Sequence, residues 1–397
     1  MSVQALHPVG LAAQAVNFQA LPPLSLYIHI PWCVRKCPYC DFNSHEARNG
    51  LPEDDYVAAL TRDLELALPL VWGRRVYSVF IGGGTPSLFS AQAMERILGT
   101  VRMLLPLDVN AEITLEANPG TVEAEKFAGF REAGVTRLSL GIQSFNETHL
   151  KALGRIHDAS EARRAVEIAQ QHFDNINLDL MYALPQQTLA EAEQDVSTAL
   201  SYAPQHLSCY HLTLEPNTLF YRHPPALPDD DASSEMQQRI EQPLAAHGYL
   251  HYETSAFAQP GKQSRHNLNY WQFGDYLGIG AGAHSKLSFH DKVIRQARYK
   301  QPQAYMEQVR QGAPVQSEQT LTRDDLCFEF MMNALRLNQG FDANLFSERT
   351  SLPLLLIRKE LEQAEQRGLL SRDQQRIAPT EQGRVFLNDL LQMFLRD

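Results

Sequence analysis

The chain has 397 residues, 44% of them hydrophobic and 20% charged, a globular composition with room for one large domain and a smaller one. Its 35 Lys and Arg against 46 Asp and Glu leave a net charge of −11, which argues against nucleic acid or an anionic membrane surface as the main partner. Five cysteines, three of them clustered, do not make a disulfide framework in so long a chain. They point to a reducing compartment and a metal site, with the cytoplasm as the expected location.

Residues 1–23 contain no Lys or Arg, and Gln, Asn, His and Pro break their apolar positions. They read as a flexible lead-in, not a signal peptide. No apolar run approaches the ~20 residues of a membrane span. From residue 24 to about 300, short β-rich runs alternate with helical stretches. LSLYIHI (24–30), VYSVFIGGG (76–84), EITLEANP (112–119), RLSLGIQS (137–144), NINLDLMYALP (175–185) and LSCYHLTLEP (207–216) read as strands bounded by turn residues. PEDDYVAALTRDLELAL (52–68) and TVEAEKFAGFREAG (121–134) read as helices, the first with an acidic first turn and the second ending in Gly.

Such alternation implies parallel strands with helical crossovers. Unusual residues gather just after the strands, where a β/α barrel builds its active site. The expected fold is therefore α/β, a partial (β/α)6 barrel over residues 24–300. From 301 to 397 amphipathic helices and a short hairpin predict a mainly helical, winged-helix-like domain. Eight Lys and Arg against nine Asp and Glu in residues 340–397 favour a structural or covering role over DNA binding.

Cys33, Cys37 and Cys40 follow the first strand with the spacing C-x3-C-x2-C. Three thiolates can hold three irons of a [4Fe–4S] cluster, whereas an isolated zinc normally takes four protein ligands. A structural zinc completed by His29 or His45 is the alternative. Cys209 and Cys327, in an apparent strand and on an apolar helix face, read as small buried hydrophobes.

C-x3-C-x2-C with Tyr39 before the last cysteine resembles the signature of the radical S-adenosylmethionine (SAM) superfamily. With LYIHIPWC ahead of it and GGGTP, EANP, GIQSFN…LGRIH and NLDLMYALP after it, the chain is similar to the anaerobic coproporphyrinogen dehydrogenase family. The resemblance implies that a [4Fe–4S] cluster binds SAM at its open iron. It also implies SAM contacts at Tyr27, Tyr39, Gly83, Gly84, Thr85, Glu116, Gln143, Arg155 and Asp179. The glycines are expected to let the backbone approach a ligand closely.

The dehydrogenase branch of that family carries a further cysteine two residues past the third. Here the position is Phe42, as in the heme chaperone branch. HNLNYW (266–271) also matches that branch, which implies heme binding at His266, Asn267, Tyr270 and Trp271: an imidazole able to ligate iron beside large aromatics. His284, in the Gly-rich YLGIGAGAHS, is a weaker candidate for the SAM or heme side. The expectation is a heme carrier with heme-acceptor proteins as partners, respiratory-chain hemoproteins among them. An electron donor such as flavodoxin or ferredoxin, and a homodimer, belong to the same expectation. Oxygen-independent coproporphyrinogen III oxidation is the enzymatic alternative.

Overall fold

The computed structural model describes residues 16–48, 50–121 and 124–396, so the lead-in up to residue 15 lies outside the described residues. Its described end is docked. Phe18 is buried, and its N–H donates to the carbonyl of His290 at 2.9 Å.

β1 (Leu24–Ile30) leads into two short strands, β2 (Trp32–Cys33) and β3 (His45–Glu46), which flank the cysteine loop. Strands and helices then alternate through α1 (Glu53–Val71), β4 (Val76–Gly83), α2 (Ala91–Leu104), β5 (Leu107–Ala117), α3 (Ala124–Ala133) and β6 (Arg137–Gln143). The series continues with α4 (Glu147–Ala152), α5 (Ala159–His172), β7 (Ile176–Tyr182), α6 (Leu189–Ser201) and β8 (His206–His211). Side-chain caps start several of these helices. Asp158 with Glu161 and Thr188 with Glu191 form reciprocal capping boxes at α5 and α6.

Next come α7 (Leu219–Arg222), α8 (Asp230–Ala246), β9 (Leu250–Glu253), β10 (Ala256–Ala258), α9 (Arg265–Trp271) and β11 (Asp275–Ile279). β12 (His284–Ser288), β13 (Val293–Arg298), α10 (Pro302–Arg310) and β14 (Val315–Thr320) complete the large sheet. In it β1, β4, β5, β6, β7 and β8 are parallel neighbours in chain order. β11 adds a seventh parallel strand on the other side of β1, pairing Leu24 with Asp275. Antiparallel strands extend both ends, β10 and β9 beyond β8 and β12 to β14 beyond β11, so the barrel stays open. The sheet also runs past residue 300, because β14 pairs with β13 up to Thr320.

Each parallel strand separates its two faces with period two. On β1, Leu24, Leu26, Ile28 and Ile30 pack into the main core, whereas Ser25, Tyr27 and His29 do not. Leu138, Leu140 and Ile142 of β6 and Ile176, Leu178 and Leu180 of β7 do the same. The helix-facing side is aliphatic. The lumen is polar, lined by Ser78, Thr114, Arg137, Ser139, Asn177, Asp179, His206 and Ser208, unlike the branched aliphatic filling of a closed eight-stranded barrel.

A second core fills the C-terminal module and also takes in Phe18, Phe273 and Val293 from the preceding chain. α11 (Arg323–Ala334), β15 (Phe341–Asp342), α12 (Ala343–Thr350), α13 (Arg358–Gln366), β16 (Leu370–Arg372), β17 (Arg376–Pro379), α14 (Glu381–Val385) and α15 (Leu387–Gln392) build it around a three-stranded sheet ordered β15–β17–β16. Cys209 and Cys327 lie buried in the first and second cores respectively. Among the described residues no helix is long and apolar enough to cross a membrane.

Candidate functional site

Backbone hydrogen bonds close the cysteine loop at its base. Gly84 N–H donates to Ile30 O (2.8 Å), Thr85 N–H to Trp32 O (2.7 Å), His45 N–H to Pro31 O (2.7 Å) and Ala47 N–H to Cys33 O (3.0 Å). The triple glycine makes this closure feasible. Gly83 has φ 119°, and a Cβ there would lie 2.6 Å from the His29 ring; one on Gly84 would lie 2.5 Å from the carbonyl oxygen of Trp32. The close approach expected for a ligand is thus made first by the protein's own loop.

Cys33 is buried, Cys37 and Cys40 are half-buried, and all three are free thiols. Arg155 Nη1 lies 3.7 Å from Cys37 Sγ, and Ser44 Oγ lies 3.8 Å from Cys40 Sγ. Burial raises the Cys33 and Cys40 thiols above their ordinary range. Both ring nitrogens of His29 are committed, Nδ1 to Tyr27 Oη (2.9 Å) and Nε2 to Asn43 O (2.8 Å). His29 is therefore no spare zinc ligand. Among the described residues no three His, Cys, Asp or Glu are grouped to hold a single ion. Three thiols around one cavity fit a cluster that leaves one iron open better than a four-coordinate zinc.

The three cysteines face a cavity of about 350 Å³, also lined by Tyr39, Gly83, Gly84, Thr85, Glu116, Gln143, Arg155 and Asp179. Of the residues expected around SAM, Tyr27 lies elsewhere, in a neighbouring cavity. Arg155 Nη2 donates to Gly141 O at 2.7 Å. Gln143 adopts a left-handed φ of 68°, where the β6–β7 register shifts; a non-glycine residue holds that conformation at a cost of ~1 kcal/mol or more. Asp179 accepts from Ser139 Oγ (2.9 Å) and Asn177 Nδ2 (2.8 Å). Ser139, Met181 and Tyr210 also line this cavity. They escaped the motif reading, although their alternation along β6, β7 and β8 places them on the same face as Gly141, Asp179 and Ser208.

Glu116 Oε2 accepts from Gly83 N–H at 3.0 Å. Burial, and secondarily the Asp179 carboxylate, raise its carboxyl from 4.5 to about 8. In the window between those values the unfolded chain has released this proton while the folded chain keeps it. Stability therefore falls as pH rises through the window, by at most ~1.4 kcal/mol per pH unit. Below the window both states hold the proton, and above it both have lost it. Glu116→Gln should accordingly lose less of its urea midpoint than the parent between about pH 5.5 and about pH 7.5. Equal slopes would mean that cavity water solvates the carboxylate.

The neighbouring cavity, about 550 Å³, shares Asp41, Phe42, Gly83 and Glu116 with the first, so the two meet at a common wall. Its other lining includes Tyr27, Phe80, Tyr270, Tyr276, His45, His284, Lys36 and Lys300. Phe42 is 61% exposed at the lip. The HNLNYW residues do not all converge here. On α9, His266 and Tyr270 are one turn apart and their rings meet at 5.0 Å, but His266 is fully buried behind Phe80, stacked on it at 5.0 Å. Its Nδ1 lies 3.2 Å from Ser78 Oγ, while its Nε2 has no partner. Burial lowers its pKa to about 3, which keeps the ring neutral. Asn267 gives its N–H to the helix cap Ser264. Trp271 turns away and carries the Arg336 guanidinium 4.4 Å above its ring, at the C-terminal module.

A hydrogen-bonded chain crosses the lumen between these regions. From Asp179 it passes through Asn177 to His206 Nδ1 (2.6 Å), then from His206 Nε2 to Tyr252 Oη (2.8 Å). Ser264, the cap of α9, donates its N–H to that same hydroxyl at 3.4 Å. The lumen thus ties Asp179 to the helix that bears His266.

Residues 27–199 match the radical SAM superfamily, and residues 321–386 match the HemN C-terminal domain. Over 379 residues the chain is 50% identical to the heme chaperone HemW of Escherichia coli (strain K12), covering 95% of this chain and 99% of that protein. The Bacillus subtilis (strain 168) heme chaperone HemW is 34% identical over 382 residues, 94% of this chain and 99% of its own. Among solved structures, coproporphyrinogen III oxidase (HemN) from Escherichia coli, a radical SAM enzyme, superposes with a TM-score of 0.80. That match has 25% identity and covers 94% of this chain and 90% of that one.

Proposed function

The chain belongs to the heme chaperone HemW family of the radical SAM superfamily, and on that premise we propose that it binds heme and passes it to acceptor proteins. A SAM-ligated [4Fe–4S] cluster occupies the first cavity in this reading. The carrying observation is the pair of cavities that share the Gly83–Glu116 wall, one bordered by three free thiols and the other by aromatic rings.

Cys33, Cys37 and Cys40 hold the cluster, which when bound supplies an electron source and an open iron for SAM. The protein's own part is positioning. Glu116 offers a carboxyl, fixed by Gly83 N–H, that ionises beside an incoming ammonium group. Arg155 and Tyr39 close the cysteine side, and Asp179 is held by Ser139 and Asn177 for a ligand hydroxyl or amine. Phe42 stands where the oxidase branch carries another thiol, which favours the carrier over oxidative decarboxylation. Incubation of the reconstituted protein with SAM, a reductant and coproporphyrinogen III should yield no protoporphyrinogen IX, and its appearance would replace the carrier by the oxidase.

Heme retention depends on α9. His266→Ala removes the ring that backs Phe80 and Tyr270, and it should weaken heme retention about tenfold or more, equivalent to ~1.4 kcal/mol. The iron–sulfur absorbance should stay unchanged. Gel filtration of heme-loaded parent and variant, read at the heme band, measures the difference; equal heme content would remove His266 from this role. The acceptor proteins and the electron donor belong to the same proposal.

A further inference from the structure

We propose that the outer face of the cysteine loop is the docking surface for a small acidic one-electron carrier; this rests on the cluster reading above. Residues 37–40 form a turn, closed by Cys40 N–H donating to Cys37 O at 3.2 Å. Two segments grip it. Phe220 N–H of α7 donates to Pro38 O at 3.0 Å, and Gly154, after α4, comes so near that a Cβ there would lie 3.0 Å from Pro38 Cδ. These contacts gather Val34 of the loop, Ile156, and Leu219 and Tyr221 of α7 around one turn, and all four are exposed. Exposed apolar side chains are ordinary singly, but a set gathered on one loop marks an interaction surface.

Position and charge select the partner. Cys37 borders the inner cavity and also a shallow outer groove, which it shares with Val34, Arg35, Arg155 and Ile156. Cys33 and Cys40 do not line that groove, so Cys37 is the thiol with an outward side. The groove carries two arginines and no carboxylate, and Arg222 stands exposed on α7 between Tyr221 and His223. Asp158, two residues past Ile156, is taken up as the cap of α5, accepting the N–H groups of Ser160 and Glu161. On a chain of net charge −11, a cationic patch draws an acidic partner to the one face that does not repel it. An apolar centre with Arg and Tyr at its edge is the composition of a protein interface, and electron-transfer encounters need only a small one, under ~1,200 Å². One electron leaves the reduced carrier, which is oxidised by one unit, and the cluster charge falls from 2+ to 1+. No bond is made or broken.

Flavodoxin in its hydroquinone form, mixed anaerobically with the reconstituted full-length protein in a stopped-flow spectrometer, tests this. Flavodoxin semiquinone absorbance gives the rate, and bleaching of the iron–sulfur band gives the matching gain. The parent rate should saturate with flavodoxin, with an apparent affinity that drops about tenfold or more between about 50 and about 500 mM salt. Arg222→Glu and Ile156→Glu, both on exposed side chains, should each weaken that affinity about tenfold or more. Arg384→Glu, an equal charge change on α14 of the C-terminal module, should stay at the parent level. Dithionite, a small reductant that needs no docking surface, should reduce all four proteins alike, which separates lost docking from a damaged cluster. Parent-like kinetics in both surface variants, an equal loss in Arg384→Glu, a matching loss with dithionite, or failure of flavodoxin to reduce the parent overturns the docking surface while the cluster reading stands. So does a parent dimer that Ile156→Glu dissolves without changing reduction, since a second copy then covers the patch. A parent that reconstitutes no iron–sulfur cluster overturns the cluster reading itself.

Discussion

Alanine in place of Cys37 is expected to reduce the anaerobically reconstituted protein from about four irons per chain to less than about one. The Cys37 thiol is half-buried at the first cavity beside Arg155, and among the described residues the only other thiols lining that cavity are Cys33 and Cys40. His29 is fully bonded, and the remaining cysteines, Cys209 and Cys327, lie in the two hydrophobic cores. Two thiolates then remain where three irons require three. Iron and acid-labile sulfide assays measure the loss, with circular dichroism confirming that the fold persists. Four irons retained in the variant, or one zinc without sulfide in the parent, would overturn the cluster assignment.

The second large effect is on stability. Asp63 on α1 is completely buried, and it receives Tyr305 Oη (2.8 Å), Gly280 N–H (3.2 Å) and two nitrogens of Arg298 (3.3 Å each). Arg298 is itself buried, with Ser285 and Gln296 as its other partners. Asp63→Ala leaves a buried guanidinium without its counter-charge and should cost about 3–5 kcal/mol in urea unfolding. The damage also reaches the functional loop. Asp63 fixes the Gly280 turn, and the adjacent Ala281 carbonyl accepts from Asn43 Nδ2, just past the third cysteine. A loss below about 1 kcal/mol would mean that water takes over the role of the carboxylate.

β1 and β4–β8 were legible because each is a short β-branched or aromatic run ending in turn residues, and two of the helices between them, over 52–68 and 121–134, because of an acidic first turn, apolar residues at helical spacing and a closing glycine. β11 was not. Its DYLGI is brief, and the glycines after it read as a turn, although they end a strand parallel to β1. The cysteine loop and the Gly83–Glu116 pair were legible as motifs. The second cavity was not, because Tyr27, His45, Phe80, Tyr276 and Lys300 come together only through the sheet. HNLNYW shows the limit of a motif. A helix puts residues four apart on one face, so His266 and Tyr270 meet while Trp271 serves a different contact. Tyr27 likewise belongs to a strand face that motif spacing does not specify.

The separation of faces along each strand divides selective burdens between alternate residues. Aliphatic positions toward the helices carry the folding free energy, and a change there is felt as a cavity or a clash. Positions toward the lumen carry hydrogen bonds, charge and ligand contacts, and the hydrophobic layer does not depend on their identity. A mutational history can therefore rewrite the inside of such a barrel one alternate residue at a time. The chain can give up a reaction or adopt a cargo while the layer that folds it is left untouched.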